Sequence, residues 1–173
     1  MRKLVVGVMC PGDNAPQSAI DIAYELGKLI AQEGWILLSG GRKQGAMGAV
    51  NEGAKSENGL TVGIIPTKDN YNTSDFVDIS ILTDMGSARN NINVLSSDVL
   101  IIIADGMGAG TVSEAALALK AKKHIIFLKA NEVTIAFFQA LKKEQVRIAA
   151  TPQEAIAQVK KLIHSCLESG LRK

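Results

Sequence analysis

Val99-Leu-Ile-Ile-Ile103 runs directly into Ala104-Asp-Gly-Met-Gly-Ala-Gly-Thr-Val-Ser-Glu114, and this junction decides the fold. A short unbroken apolar run bounded by turn residues is the pattern of a buried strand. The glycines that follow permit a tight turn, and Ala115 to Ala121 continues as a helical stretch of small residues. A strand, a glycine-rich turn and a helix leave N–H groups unpaired at the helix start, where the macrodipole is positive. Such a place suits a phosphate or another anion. Glu114, one turn into the helix, brings a carboxylate beside whatever the anion is attached to.

The same alternation extends in both directions and predicts a parallel α/β sheet. Leu4–Met9, Trp35–Ser39, Leu60–Ile65, Val99–Ile103 and His124–Leu128 are expected strands, with shorter ones at Val77–Leu82 and Val146–Ala149. A helix from Pro16 to Glu33 sets Ile20, Ala23, Leu26 and Ile30 on one face. A C-terminal helix from Pro152 to about Gly170 carries the stripe Ile156, Val159, Ile163 and Cys166, with Thr151 as N-cap. The glycine-rich turns all follow strands, at Pro11-Gly12, Gly40-Gly41 and Gly106 to Gly110. In a parallel sheet they converge on one edge, where open α/β sheets bind ligands at the reversal of strand order. The expected architecture is a Rossmann-like, doubly wound, mostly parallel sheet with helices on both faces, as one domain over residues 1–173.

Composition narrows the function classes. Apolar residues make up 47% of the chain but aromatics only 4%, so the core is aliphatic. A length of 173 residues is enough to bury roughly 70% of the unfolded chain's surface. Nineteen basic against 17 acidic residues give a net charge of +2, without the clustered basic stripe of a nucleic-acid surface. Two cysteines, Cys10 and Cys166, make neither a disulfide framework nor a metal cluster. The opening Met-Arg-Lys-Leu-Val-Val-Gly-Val-Met-Cys is better explained as a strand than as a lipoprotein signal, and no window has the length of a membrane span. A cytoplasmic protein without a bound metal ion is expected.

Three further clusters bear on chemistry. In Ser39-Gly-Gly-Arg-Lys-Gln-Gly-Ala-Met-Gly-Ala-Val-Asn-Glu-Gly-Ala54, Gly40 and Gly41 allow a tight turn and Arg42 can grip a phosphate or carboxylate. Gly45, Gly48 and Gly53 lie on an otherwise helical stretch, where each costs about 1 kcal/mol relative to Ala. Close approach by another backbone, a symmetry mate or a ligand accounts for them equally well. In Met85-Gly-Ser-Ala-Arg-Asn-Asn-Ile-Asn-Val-Leu95, Ser87 is the expected helix cap and Ala88, Ile92 and Leu95 the buried stripe, with Arg89 at its border. Thr111-Val-Ser-Glu114 also matches a capping box, in which Glu114 bonds back to the helix start. Cys10, His124 and His164 have no partner in sequence and carry no assigned role.

Taken in order, Gly40-Gly-x-x-x-Gly45-x-Met47-Gly48, Gly63-Ile-Ile-Pro66, Arg89 and Gly108-x-Gly-Thr-x-x-Glu114 resemble the Lonely Guy, or lysine-decarboxylase-like, superfamily over about residues 3–128. One branch hydrolyses cytokinin-type nucleoside 5′-monophosphates, and the resemblance implies Arg89 and Glu114 as its catalytic pair. Another branch comprises molybdenum-cofactor carriers, which bind a phosphorylated pterin without transforming it. The hydrolases carry Pro-Gly-Gly-x-Gly-Thr, an Arg-Lys pair and a doubled acid. This chain has Ala104-Asp-Gly-Met-Gly-Ala-Gly-Thr111, Arg89-Asn90 and Ser113-Glu114 instead. The resemblance therefore favours the carrier branch, with molybdenum cofactor as ligand and a nucleoside-monophosphate phosphoribohydrolase as the alternative. The expected ligand contacts are Gly12, Gly40, Gly41, Arg42, Gly45, Met47, Arg89, Gly108, Ala109, Gly110 and Thr111. A homo-oligomer, dimer or tetramer, is expected, without nucleic-acid or membrane partners.

Overall fold

A computed structural model describes residues 2–168; Gly170 and the side chain of Cys166 lie outside the described residues. The described residues form seven strands and six α-helices, with a helix between successive strands except between the third and the fourth. The strands are β1 (Val5–Met9), β2 (Ile36–Ser39), β3 (Leu60–Ile65), β4 (Ile79–Leu82), β5 (Val99–Ile103), β6 (Ile125–Leu128) and β7 (Val146–Ala149). The helices are α1 (Gln17–Gln32), α2 (Gly45–Ser56), α3 (Asn90–Ser96), α4 (Ala109–Lys120), α5 (Glu132–Lys142) and α6 (Pro152–Glu168). All neighbouring strands pair in parallel, in the order β4-β3-β2-β1-β5-β6-β7. The expected doubly wound α/β sheet is the observed one.

The centre of the sheet is aliphatic on both faces, as parallel strands require. Val6, Val8, Ile101 and Ile103 pack with α1, α2 and α6. Met9, Leu100, Ile102 and Phe127 pack with α3, α4 and α5. Strand order reverses between β1 and β5, where Val6 aligns with Val99 and Met9 with Ile102. The turns after these two strands are thereby neighbours, although most of the first hundred residues separate them in sequence.

Side-chain caps mark the starts of α5 and α6. Thr151 caps α6 as expected, its Oγ1 accepting from the Glu154 N–H at 3.2 Å. The sequence pattern predicts no element between Leu128 and Val146, where α5 forms. The β-branched run Val133-Thr134-Ile135 argues against a helix, but Asn131 caps it, Oδ1 accepting from the Thr134 N–H at 2.9 Å.

Two expectations around α3 are corrected. Ser87 caps nothing; it lies within a 3-10 turn, Gly86–Arg89, that leads into the helix. Ala88 and Leu95 are exposed and Ile92 only half-buried, whereas Arg89, Asn90, Asn93 and Val94 face inward. The helix is turned this way because α4 offers polar partners to its asparagines.

The glycines of α2 pack within the chain. A Cβ at Gly53 would overlap the Tyr24 carbonyl oxygen, and one at Gly27 would overlap that of Val50. Helices α1 and α2 therefore meet backbone to backbone, which accounts for Gly27 and Gly53 within the chain. Gly27→Ala should destabilise the protein by about 2 kcal/mol or more, since the clash is with backbone that has no rotamer to change. Urea unfolding measures this directly; an unchanged midpoint would contradict the close crossing.

Candidate functional site

A cavity of about 410 Å³ opens at the C-terminal edge of the sheet, over the reversal between β1 and β5. Gly12, Gly40, Arg42 and Met47 line it from the turns after β1 and β2 and the start of α2. Arg89, Gly108, Gly110, Thr111 and Glu114 line it from the opposite side. The expected contacts Gly41, Gly45 and Ala109 are not in this lining. Gly41 has a φ of +71°, and a Cβ there would strike Ile65 and the Gly63 backbone. Gly45 lies against the Gly12 carbonyl, which a Cβ would overlap. Ala109 opens α4 and is exposed.

The segment from Gly106 to Glu114 separates into two kinds of glycine. Gly106 is needed by the fold: its φ is +70° and a Cβ there would strike the Pro16 ring. A Cβ added at Gly108 or Gly110 would have nothing within 4 Å, so no neighbour in the chain requires a glycine at either place. Val112 is the first N–H to bond back into the helix, to the Gly108 carbonyl at 3.1 Å. The amides of the preceding turn are left for another acceptor.

Glu114 is not part of a capping box. The N-cap of α4 is Gly108, with no side-chain cap, and Thr111 is already inside the helix. Glu114 instead turns inward, and its Oε1 accepts from Asn93 Nδ2 at 2.7 Å. Asn90 Nδ2 donates to Ser113 Oγ at 3.0 Å, a second tie between α3 and α4. Sequence reasoning missed Asn93. The available signal was its position one helical turn after Arg89, on the same face.

Arg89 lies over Gly40, where a Cβ would come within 2.6 Å of its Nη1. The guanidinium is buried and its Nε has no hydrogen-bond partner. Its ion pair with Glu114 spans 4.0 Å, too long for a hydrogen bond. Burial pulls the Arg89 guanidinium below its usual range, Glu114 resists that, and Arg42 adds to it. Burial likewise pushes the Glu114 carboxyl above the usual carboxylate range, against the Asn93 hydrogen bond and the charge of Arg89. Cys10, also in the lining, is pushed up by burial and by Glu114, so its thiol stays protonated. At the mouth, Arg42 Nη2 pairs with Asp13 Oδ2 at 3.3 Å. Among the described residues no group of three or more His, Cys, Asp or Glu is placed to hold a metal ion.

Fold and site together define a Rossmann-like protein whose cavity holds a buried guanidinium and a glycine-lined helix start. The chain belongs to the SLOG cluster4 family, a Lonely Guy-like family whose model matches residues 3–156. The molybdenum cofactor binding protein of Rippkaea orientalis is 50% identical, with a TM-score of 0.91, covering 94% of this chain and 99% of that one. The molybdenum cofactor carrier protein of Chlamydomonas reinhardtii is 47% identical, with a TM-score of 0.88 and coverage of 94% and 99%. A cytokinin riboside 5′-monophosphate phosphoribohydrolase of Mycobacterium tuberculosis is 35% identical over 105 residues, 60% of this chain and 56% of the relative.

A buried, poorly paired charge costs stability. The double substitution Arg89→Met with Glu114→Gln should therefore leave the fold as stable as wild type, or more stable by about 1–3 kcal/mol. Thermal melts without ligand measure it; a large loss would show that the pair holds the fold together.

Proposed function

We propose that the protein binds and carries a phosphorylated pterin, the molybdenum cofactor, as cargo. The observation that carries this reading is Arg89: a buried guanidinium with an unpartnered Nε, in one cavity with two glycines that no neighbour in the chain requires. A ligand oxyanion supplies what the guanidinium lacks, and the phosphate has the amides of the first turn of α4 and the Thr111 hydroxyl as donors. Arg42 can exchange Asp13 for the ligand at the mouth. Val8, Met9 and Met47 give the ring an apolar wall. The likeness to two molybdenum cofactor proteins at 47–50% identity supports the choice of cargo. The proposed location is the cytoplasm.

The second reading, a nucleoside 5′-monophosphate phosphoribohydrolase, is favoured by the meeting of Arg89 and Glu114 in one cavity. The raised carboxyl of Glu114 weighs against it, because a group that stabilises developing positive charge works as an anion. Saturable binding of molybdenum cofactor, without release of free base from adenosine or isopentenyladenosine monophosphate, is the expected result. Turnover abolished by Glu114→Gln would overturn the carrier reading.

A homo-oligomer completes the proposal. Helix α4 has scarcely any polar face: Ala116 is exposed, and Ser113 and Lys120 are its exposed polar residues. Beside it, Leu95 of α3 and Val133, Phe137 and Leu141 of α5 are exposed apolar side chains. A helix that is apolar nearly all round is ordinarily covered, and the small residues of α4 let a second copy approach closely. Ala116→Arg should convert the oligomer to monomers in light scattering coupled to size exclusion. A wild-type monomer would overturn this part of the proposal.

A further inference from the structure

We propose that Glu114 makes anion binding proton-linked: its carboxyl takes up a proton from solvent as an anion settles against Arg89, and returns it as the anion leaves. The inference rests on the anion-binding reading above and concerns how that site loads and unloads.

The geometry supplies the coupling. Glu114 lines the cavity and is held by one hydrogen bond, Asn93 Nδ2 to Oε1 at 2.7 Å. Arg89 stands 4.0 Å from that same oxygen, and both side chains are about nine-tenths buried. Without an anion the two charges offset one another. An arriving anion engages Arg89 and brings a second negative charge beside an ionised Glu114. Like charges sharing a buried site drive one of them to take a proton. The neutral acid then also has an O–H to offer the anion as a donor.

The other groups facing the site leave this role to Glu114. Cys10, at the end of β1, is already protonated. Asn93, on α3, does not titrate, and β5 contributes only apolar side chains. Arg42 and Asp13 pair with each other at the mouth. Among the described residues, no histidine or lysine is in the lining.

Sulfate is the probe, because it remains a dianion across the working range whereas phosphate titrates. Calorimetry in buffers of different ionisation heat, from about pH 5.5 to about pH 8.5, should show uptake of up to about one proton per sulfate. Affinity should fall as pH rises, by at most about tenfold per unit at the steepest point. Glu114→Gln should bind sulfate with no proton uptake and a flat pH profile. Asn93→Ala removes a bond that favours the ionised carboxylate, so its fall should move to higher pH, a change that a merely structural role would not produce. Wild-type binding without proton uptake, or a Glu114→Gln variant that keeps the pH dependence, would overturn the inference and leave anion binding standing. Absence of sulfate binding in wild type and Glu114→Gln alike would overturn both.

Discussion

The site depends on the parallel pairing of β1 with β5. That pairing puts the turn after Met9 beside the turn after Ile103, with the backbone amides of both at one edge of the sheet. Aliphatic side chains on both faces hold the two strands in register, and the reversal of strand order between them leaves a crevice that no crossover helix fills. Secondary contacts then set its walls. The Ser18 hydroxyl donates to Asp105 at 2.5 Å, tying α1 to the turn after β5. The Gly41 carbonyl accepts from the Ser74 N–H at 2.8 Å, steadying the turn that carries Arg42.

Within that crevice two opposite charges are buried and incompletely paired. Burial works against both Arg89 and Glu114, and at 4.0 Å they compensate each other incompletely. Fold stability alone would favour apolar residues at these positions. The Asn93 and Asn90 bonds fix the inner face of α3 against α4, so that the guanidinium and the carboxyl are held without touching.

Much of the fold was legible because its signals are local. Short apolar runs, glycine turns after strands and the Thr151 cap each depend on a few neighbouring residues. Helix α5 was not legible, because its apolar and β-branched composition obscures the face that packs and its single clear signal is the Asn131 cap. The orientation of α3 was misread for a related reason. Apolar spacing predicted Ala88, Ile92 and Leu95 inward, but hydrogen bonds from Asn90 and Asn93 to α4, the latter fully buried, outweigh that spacing in a two-turn helix.

The sequence by itself determined the parallel α/β class, the edge of the sheet on which the glycine-rich turns meet, and Arg89 and Glu114 as the charged pair to watch. The first two follow from periodicity and from the φ freedom of glycine, and the pair follows from the resemblance to the Lonely Guy superfamily. Only the tertiary structure decided that Glu114 faces Asn93 and Arg89 rather than its own helix start. It also decided that Gly53 serves helix packing while Gly108 and Gly110 border open space. Each of these depends on distances between residues far apart in the chain, and no local pattern encodes such distances.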